Sequence, residues 1–290
     1  MQGTIVKALA DFYYVRVQER TWQCKARGIF KKRGITPLVG DDVEMEALAD
    51  GEVEGVVNEI LPRRSAFVRP PVANVDQFFV VAAAAEPDPV LSVLDNFLVT
   101  AEYRDMEIVL VVNKTDLAAA ESIERLRAVY EPLYPFYPIS CRTGAGVEAL
   151  RSRLDGRRTA LSGPSGAGKS TLLNCLQPAA AAPVGEVSGK TGRGRHTTRH
   201  VEIFPVGSSG LLYDTPGFTA FDLTAIDAEE LPGLYPEMRP LLGSCRYDDC
   251  RHLTEPGCAV RQRAEAGDIA ASRYASYKAQ LAQIEARKKY

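Results

Sequence analysis

The order of two short runs constrains this chain more than any other feature: Asn113-Lys114-Thr115-Asp116 comes before Gly163-Pro164-Ser165-Gly166-Ala167-Gly168-Lys169-Ser170. Each run follows an apolar stretch that reads as a buried strand, Glu107 to Val112 and Arg158 to Leu161. Each therefore belongs at the edge of an open α/β sheet, where ligands bind. Glycines at 163, 166 and 168 let backbone N–H groups close around phosphate oxygens with no side chain in the way. Lys169 adds a mobile positive charge, Ser170 offers a hydroxyl to Mg²⁺, and Thr171 follows in the helix that the run opens. The earlier run reads a base. The Asp116 carboxylate can accept from both guanine N1–H and the exocyclic amine, a pair that adenine lacks, and leaving it unpaired is costly. Asn113 is placed to bond the purine edge, Lys114 to stack its stem over the ring, and Thr115 lies between them and Asp116. A phosphate loop conventionally precedes its base reader. Here the reader leads.

Asp214-Thr215-Pro216-Gly217 follows a further strand, Gly210 to Tyr213. Asp214 can hold Mg²⁺ through water, and the Gly217 amide can sense a γ-phosphate. Reader, phosphate loop and switch in that order describe a circularly permuted GTPase, in which strand order in space is kept while the chain ends move. The basic, glycine-rich run Lys190 to His200 reads as the first switch. Thr197 or Thr198 completes a Mg²⁺ shell, and His196 either positions water at near-neutral pH or meets RNA phosphate or solvent. The assigned catalytic set is His196, Thr198 and Gly217, and the Mg²⁺ set is Ser170, Thr198 and Asp214. Phe218 follows Gly217 and cannot orient an attacking water as glutamine does, so slow intrinsic turnover is expected. Ser140-Cys141-Arg142 stands where a second guanine-contacting loop is expected, with Ser140 and Cys141 in the binding set; the same residues could simply begin the turn at Thr143-Gly144.

A chain of 290 residues suits two or three domains. Its formal net charge of -2 excludes a global attraction to nucleic acid, so any RNA contact needs local basic patches. Lys25, Arg27, Lys31, Lys32 and Arg33 form one, and Lys278, Arg287, Lys288 and Lys289 another. The start of the chain has no secretory pattern, and the apolar stretch Phe78 to Ala85 is too short to span a bilayer. A soluble cytoplasmic monomer with no membrane partner is expected. Its six cysteines then read as thiols and metal ligands, not a disulfide framework.

From Thr4 to about Arg64 the pattern is short strands and tight turns, with Tyr13 to Val17 and Gly28-Ile29-Phe30 as strand-like runs and Gly40-Asp41-Asp42 and Asp50-Gly51 as turns. This predicts a small β-barrel of oligonucleotide-binding (OB) type, although spacing alone also admits another five-stranded barrel. From about Val72 to Thr224 continuous apolar strands alternate with helices, around Val90 to Tyr103, Ile123 to Tyr130 and Lys169 to Leu176. That alternation marks a doubly wound sheet. Beyond Thr224, prolines at 232, 236, 240 and 256 interrupt the chain, and a long helix is predicted from about Arg261 to Lys288. Tyr274, Tyr277, Leu281 and Ile284 give that helix a docking face, with Arg273, Lys278 and Arg287 on its flanks, carrying charge to solvent or RNA. The expected domains are 1–68 (OB barrel, RNA-binding), 69–224 (permuted GTPase) and 225–290 (zinc-binding, with the C-terminal helix).

The zinc assignment rests on Cys245-x4-Cys250-x-His252-x5-Cys258, three thiolates and an imidazole in a short loop-rich segment. Four such ligands suit tetrahedral, structural zinc and leave no open catalytic position. Cys24, Cys141 and Cys175 lack such company and read as packing residues. Together with Pro37-Leu38-Val39-Gly40-Asp41 and Gly192-Arg193-Gly194-Arg195-His196-Thr197-Thr198, these motifs resemble the ribosome small subunit-dependent GTPase A family, RsgA or YjeQ, over nearly the whole chain. The resemblance implies an OB domain, a permuted G domain and a zinc domain, and a role in late maturation of the small ribosomal subunit through 16S rRNA. Ser140-Cys141-Arg142 departs from the commoner Ser-Ala-Lys. The resulting expectation is a GTP hydrolase, working on GTP with Mg²⁺ and releasing GDP, stimulated by the small subunit. The rival, suggested by Phe218, is a nucleotide-gated RNA-binding checkpoint with little hydrolysis. A permuted GTPase acting on the large subunit is disfavoured by the barrel and the zinc ligands.

Overall fold

In the computed structural model, residues 1–48, 53–68, 70–177, 201–214 and 223–287 are described. The chain divides into two compact units, 1–77 with 148–161 and 170–218, and 78–147 with 162–169 and 219–290.

The first unit begins with β1 (Gln2–Leu9), β2 (Phe12–Val17), β3 (Arg20–Ala26), α1 (Gly28–Lys32), β4 (Asp42–Ala47) and β5 (Gly55–Ile60). Their order is β1-β2-β3-β5-β4, and β1 also pairs with β4, which closes a five-stranded barrel. Only β3 and β5 run parallel within it. This closure is the OB arrangement and decides between the barrels that strand spacing left open. A register shift between Ile5 and Lys7 lets β1 pair with β2 along one edge and, at its start, with β4 along the other, as a bulge bends a strand at a barrel corner. Alternation sends Ile5, Val15, Cys24, Val43, Met45 and Val57 into the interior. Gly28-Ile29-Phe30 is not a strand: it opens α1, where Phe30 is buried and Lys31 and Lys32 stay exposed. One turn of helix suffices to bury a single aromatic, so the tertiary contact overrides β-propensity. Asp41 is buried and receives Leu38 N–H at 2.7 Å and the Arg63 guanidinium at 2.7 and 2.8 Å, which gives the Pro37-to-Asp41 run a structural role.

A short hairpin, β6 (Ala66–Phe67) with β7 (Val72–Ala73), leads out of the barrel. The chain then builds β8 (Gln77–Ala83), α2 (Leu91–Tyr103), β9 (Glu107–Asn113), α3 (Ala120–Tyr130) and β10 (Phe136–Pro138), and the strands lie in the order β10-β9-β8. β8 is buried throughout and β9 nearly so, as a sheet covered on both faces requires. After α4 (Val147–Arg151) come β11 (Arg158–Ser162), α5 (Lys169–Leu176), β12 (Glu202–Val206) and β13 (Gly210–Asp214). In the first unit β11 and β13 are parallel, while β12 runs antiparallel to β13 and meets β1 of the barrel. The sequence pattern, read as parallel strands, did not include β12. The Arg158 guanidinium fastens β11 to the barrel, donating to Gly40 O at 2.9 Å and Asp42 Oδ1 at 2.6 Å.

The C-terminal region belongs to the second unit. It carries 3₁₀ turns at Leu231–Leu234 and Arg239–Leu241, then α6 (Ala259–Ala266) and α7 (Ala271–Arg287). The single helix predicted from 261 to 288 is two, because Gly267 ends α6 in a left-handed conformation at φ 85°. Tyr277, Leu281 and Ile284 are buried as predicted. Arg273 is not on a flank. It is fully buried, bound to Asp95 Oδ1 of α2 and to Glu237 Oε1, both at 2.7 Å, with its guanidinium 4.5 Å from the Tyr235 ring centre. The two acids and the aromatic face offset the cost of burying this charge.

Candidate nucleotide pocket and metal centre

β9 delivers Asn113 to its C-terminal end and stops there, because Lys114 turns left-handed at φ 64° and Thr115–Leu117 form one 3₁₀ turn. Thr115 secures that turn, its N–H and hydroxyl both donating to Ile139 O, at 3.1 and 2.9 Å. Asp116 is thereby aimed at the segment after β10. Its Oδ1 accepts from Ser140 Oγ at 2.6 Å, and Arg142 Nε approaches Oδ2 at 2.7 Å. The Ser140 hydroxyl first, and Arg142 after it, hold this carboxyl below the usual range against the opposing effect of desolvation. Ser140 Oγ also accepts from Thr143 N–H at 3.1 Å. Ser140 thus orients the acid.

The glycine-rich run connects β11 to α5. Gly163 takes φ 131°, and a Cβ there would fall 2.2 Å from Val81 O; Gly168 takes φ 91°, and a Cβ there would meet Asn113 Nδ2 at 2.3 Å. Only glycine lets the loop lie this close to β8 and to the base-reading turn. Asn113 closes the junction: its buried amide donates to Ala167 O at 3.1 Å and accepts Cys141 N–H at 3.2 Å. One side chain therefore ties together the phosphate loop, the base-reading turn and the Ser140 segment. The Lys169 ammonium donates to Gly163 O at 2.8 Å and Pro164 O at 2.7 Å, and burial lowers its pKa to about 8. Lys114 reaches across to donate to Glu86 O. Pro164, Ser165 and Gly166 form the crest of the loop, with Ser165 and Gly166 exposed.

In the same unit, Cys245, Cys250, His252 and Cys258 bring their ligand atoms within 4.8 Å of one another. Cys245 Sγ and Cys258 Sγ are 4.0 Å apart, and each lies 3.5 Å from His252 Nδ1. A tetrahedral zinc site has ligand-to-ligand edges of roughly 3.5–3.8 Å from its bond lengths, so the donor set fits a cation of that kind. His252 itself turns left-handed at φ 59°.

The chain matches the family described as RsgA GTPase over residues 60–224 and the RsgA N-terminal domain over residues 2–57. The chain belongs to the RsgA GTPase family. Similar curated proteins named small ribosomal subunit biogenesis GTPase RsgA include one from Alkaliphilus metalliredigens, 41% identical over 100% of this chain and 99% of that protein. Another, from Enterococcus faecalis, is 44% identical over 99% and 97%. Among solved structures, the circularly permuted GTPase YloQ superposes with TM-score 0.82 at 35% identity, covering 99% of this chain and 95% of that one. YjeQ from Thermotoga maritima gives 0.84 at 33% identity, covering 98% of both.

As an RsgA-family member the chain is a GTPase, and its pocket holds residues that sequence reasoning left out. Arg142, read as part of the second guanine-contacting loop but not assigned to the binding set, is one. The Glu86 carbonyl that receives Lys114 left no signal, since any residue supplies a carbonyl. Around the metal cluster, the Glu255 carboxylate accepts the N–H groups of Arg251, Leu253 and Thr254 at 2.8, 2.8 and 3.0 Å, and Tyr274 and Tyr277 hydroxyls donate to His252 O and Arg251 O at 2.7 and 2.8 Å. These bonds shape the loop from outside, as ligand-supporting contacts do. Burial raises the Cys250 and Cys258 thiols and lowers the His252 imidazole. Bound metal would have to draw off the thiol protons.

In the RsgA fold of this chain, Ser170 and Thr171 lie in the first turn of α5, and Asp214 ends β13. His196, Thr197, Thr198, Gly217 and Phe218 lie outside the described residues, as do the rest of Lys190 to His200 and Thr215 to Phe218, Asp50-Gly51, and Lys288 and Lys289. No helix among the described residues is long and apolar enough to cross a membrane.

Proposed function

We propose that this GTPase hydrolyses GTP under stimulation by the small ribosomal subunit and acts in late 30S maturation through 16S rRNA. The observation that carries the nucleotide half is Asn113, which bonds the Ala167 carbonyl of the phosphate loop and the Cys141 amide beside the base reader. In this reading Asn113 to Asp116, Ser140 and Cys141 hold guanine, Gly163 to Thr171 hold the phosphates, and Ser170, Thr198 and Asp214 hold Mg²⁺. His196, Thr198 and Gly217 carry the hydrolytic step. The relatives named for small-subunit biogenesis match the full length of the chain, which supports the ribosomal half. Lys25, Arg27, Lys31, Lys32 and Arg33 are all exposed on β3 and the turn and helix that follow, a local cationic patch suited to RNA phosphates. The reading assigns 1–68 to the OB domain, 69–224 to the permuted GTPase domain and 225–290 to a domain closed by one structural zinc, in a cytoplasmic monomer.

Phosphate release measured alone, with each ribosomal subunit and with intact ribosomes tests this. Marked stimulation by the small subunit is expected, and no stimulation by any of them sinks the proposal. Slow turnover that the ribosome leaves unchanged would favour the RNA-binding checkpoint suggested by Phe218.

Lys169 gives a second test. A polyphosphate beside this lysine restores its charge, so GTP binding near pH 8 should take up a fraction of a proton per nucleotide, and affinity should fall as pH rises above that value. Calorimetry in buffers of different ionisation enthalpy measures the uptake. No uptake would mean that the Lys169 ammonium is already charged in the empty pocket, where it donates to the Gly163 and Pro164 carbonyls.

A further inference from the structure

The segment after β10 brings a cation against the carboxylate that is read as the guanine sensor. Ser140 Oγ satisfies Asp116 Oδ1 at 2.6 Å, whereas Oδ2 is buried and has no well-aligned hydrogen bond. Arg142 Nε stands 2.7 Å from that oxygen, and its side chain is 70% exposed while that of Asp116 is 11% exposed. The guanidinium thus arrives from solvent on a long stem and covers the oxygen without being locked there.

We propose that Arg142 is a specificity-determining residue, a stand-in donor for Asp116 that narrows the margin by which the pocket prefers guanine over hypoxanthine. The inference rests on the reading of Asp116 as base reader. Guanine presents two donors to this carboxylate, N1–H and the exocyclic amine; hypoxanthine presents N1–H alone. In a pocket with no alternative donor, the missing amine leaves one carboxylate oxygen buried and unpaired, and that cost is the source of discrimination. Arg142 supplies a donor to the same oxygen. It holds Oδ2 when hypoxanthine is bound and yields to the amine when guanine is bound. Yielding costs little, because an ion pair with one partner so exposed is weak.

The expected signature is in the ratio of affinities. Arg142→Ala should raise the preference for GDP over IDP by about tenfold, mostly by weakening IDP, while GDP affinity changes less than about threefold. Arg142→Gln, shorter and uncharged, should widen the ratio in the same direction. A general loosening of the loop would weaken both nucleotides together and leave the ratio unmoved. Titration calorimetry of GDP and IDP on wild type and both variants reads this directly. A ratio that stays constant or narrows overturns the proposal. Asp116→Asn in the same series separates the two ideas: retained GDP affinity there would overturn the base-reader reading itself, whereas lost GDP affinity with an unmoved Arg142→Ala ratio overturns only the role of Arg142.

Discussion

Asp116→Asn should shift this GTPase from guanine toward xanthine nucleotides, lowering GTP affinity by at least about a hundredfold. The native carboxylate accepts from two base donors at once. The amide of the variant keeps one acceptor and turns the other position into a donor, which faces the guanine amine donor to donor and meets the xanthine C2 carbonyl as a partner. On the Oδ1 side the surroundings favour a clean exchange, and on the other side the exposed Arg142 guanidinium can swing to solvent away from the new amide nitrogen. Ser140 Oγ donates to Oδ1 and is itself held by Thr143 N–H, so it can donate to an amide oxygen as it does to the carboxylate and fix the orientation of the new side chain. The turn carrying residue 116 is secured independently through Thr115 and Ile139, so the substitution changes chemistry more than shape. Competition of GTP and XTP for a fluorescent nucleotide measures the effect, and an unchanged GTP affinity contradicts the assignment.

Why this pocket could be foreseen, and other parts could not, follows from how local each signal is. The reading turn and the phosphate loop are each continuous in sequence, and the residues that shape them are mostly inside the runs. Asn113 and Gly168 lie 55 positions apart, yet their closeness is implied once both runs sit at the edge of one sheet. The helix predicted at Lys169 to Leu176 is α5 with the same bounds, because its start is set by the loop it opens. Arg273 shows the opposite case. Helical spacing alone put it on a flank, while its partner Asp95 is 178 residues away and no periodicity reports such a pairing. The available clue lay in α2, where Asp95 interrupts an apolar run; a buried acid needs a partner, and the partner had to come from elsewhere. The antiparallel β12 was missed for a related reason, since its Pro205 argues against a strand, yet it pairs through all five of its residues with β13.

Removing metal from the cysteine and histidine cluster should unfold the 245–258 loop and leave guanine-nucleotide binding intact. The loop has little apolar content of its own. What fixes it is the ligand set, the Glu255 carboxylate and the two tyrosine hydroxyls of α7. Cys258 is also the N-cap of α6, its sulfur accepting Arg261 N–H at 3.3 Å, so losing the ligand set should fray that helix as well. The disorder has a boundary at α7. That helix is bound to α2 by contacts that need no metal: Arg273 to Asp95 at 2.7 Å, and Gln280 to Asn96 at 2.7 Å with Tyr235 donating to Gln280 at 2.8 Å. Structural zinc stabilises small loop-rich modules by several kcal/mol or more, so the effect should be large and confined. Elemental analysis should find about one zinc per chain; after chelation, or in Cys258→Ser, hydrogen exchange across 245–266 should rise steeply while α2 and the phosphate loop keep their protection. A metal-free protein whose loop stays as protected as before would show that packing alone holds it. Loss of nucleotide binding together with the metal would mean that Arg273 and Gln280 fail to contain the disorder, and that the loop is coupled to the pocket through α7 and α2.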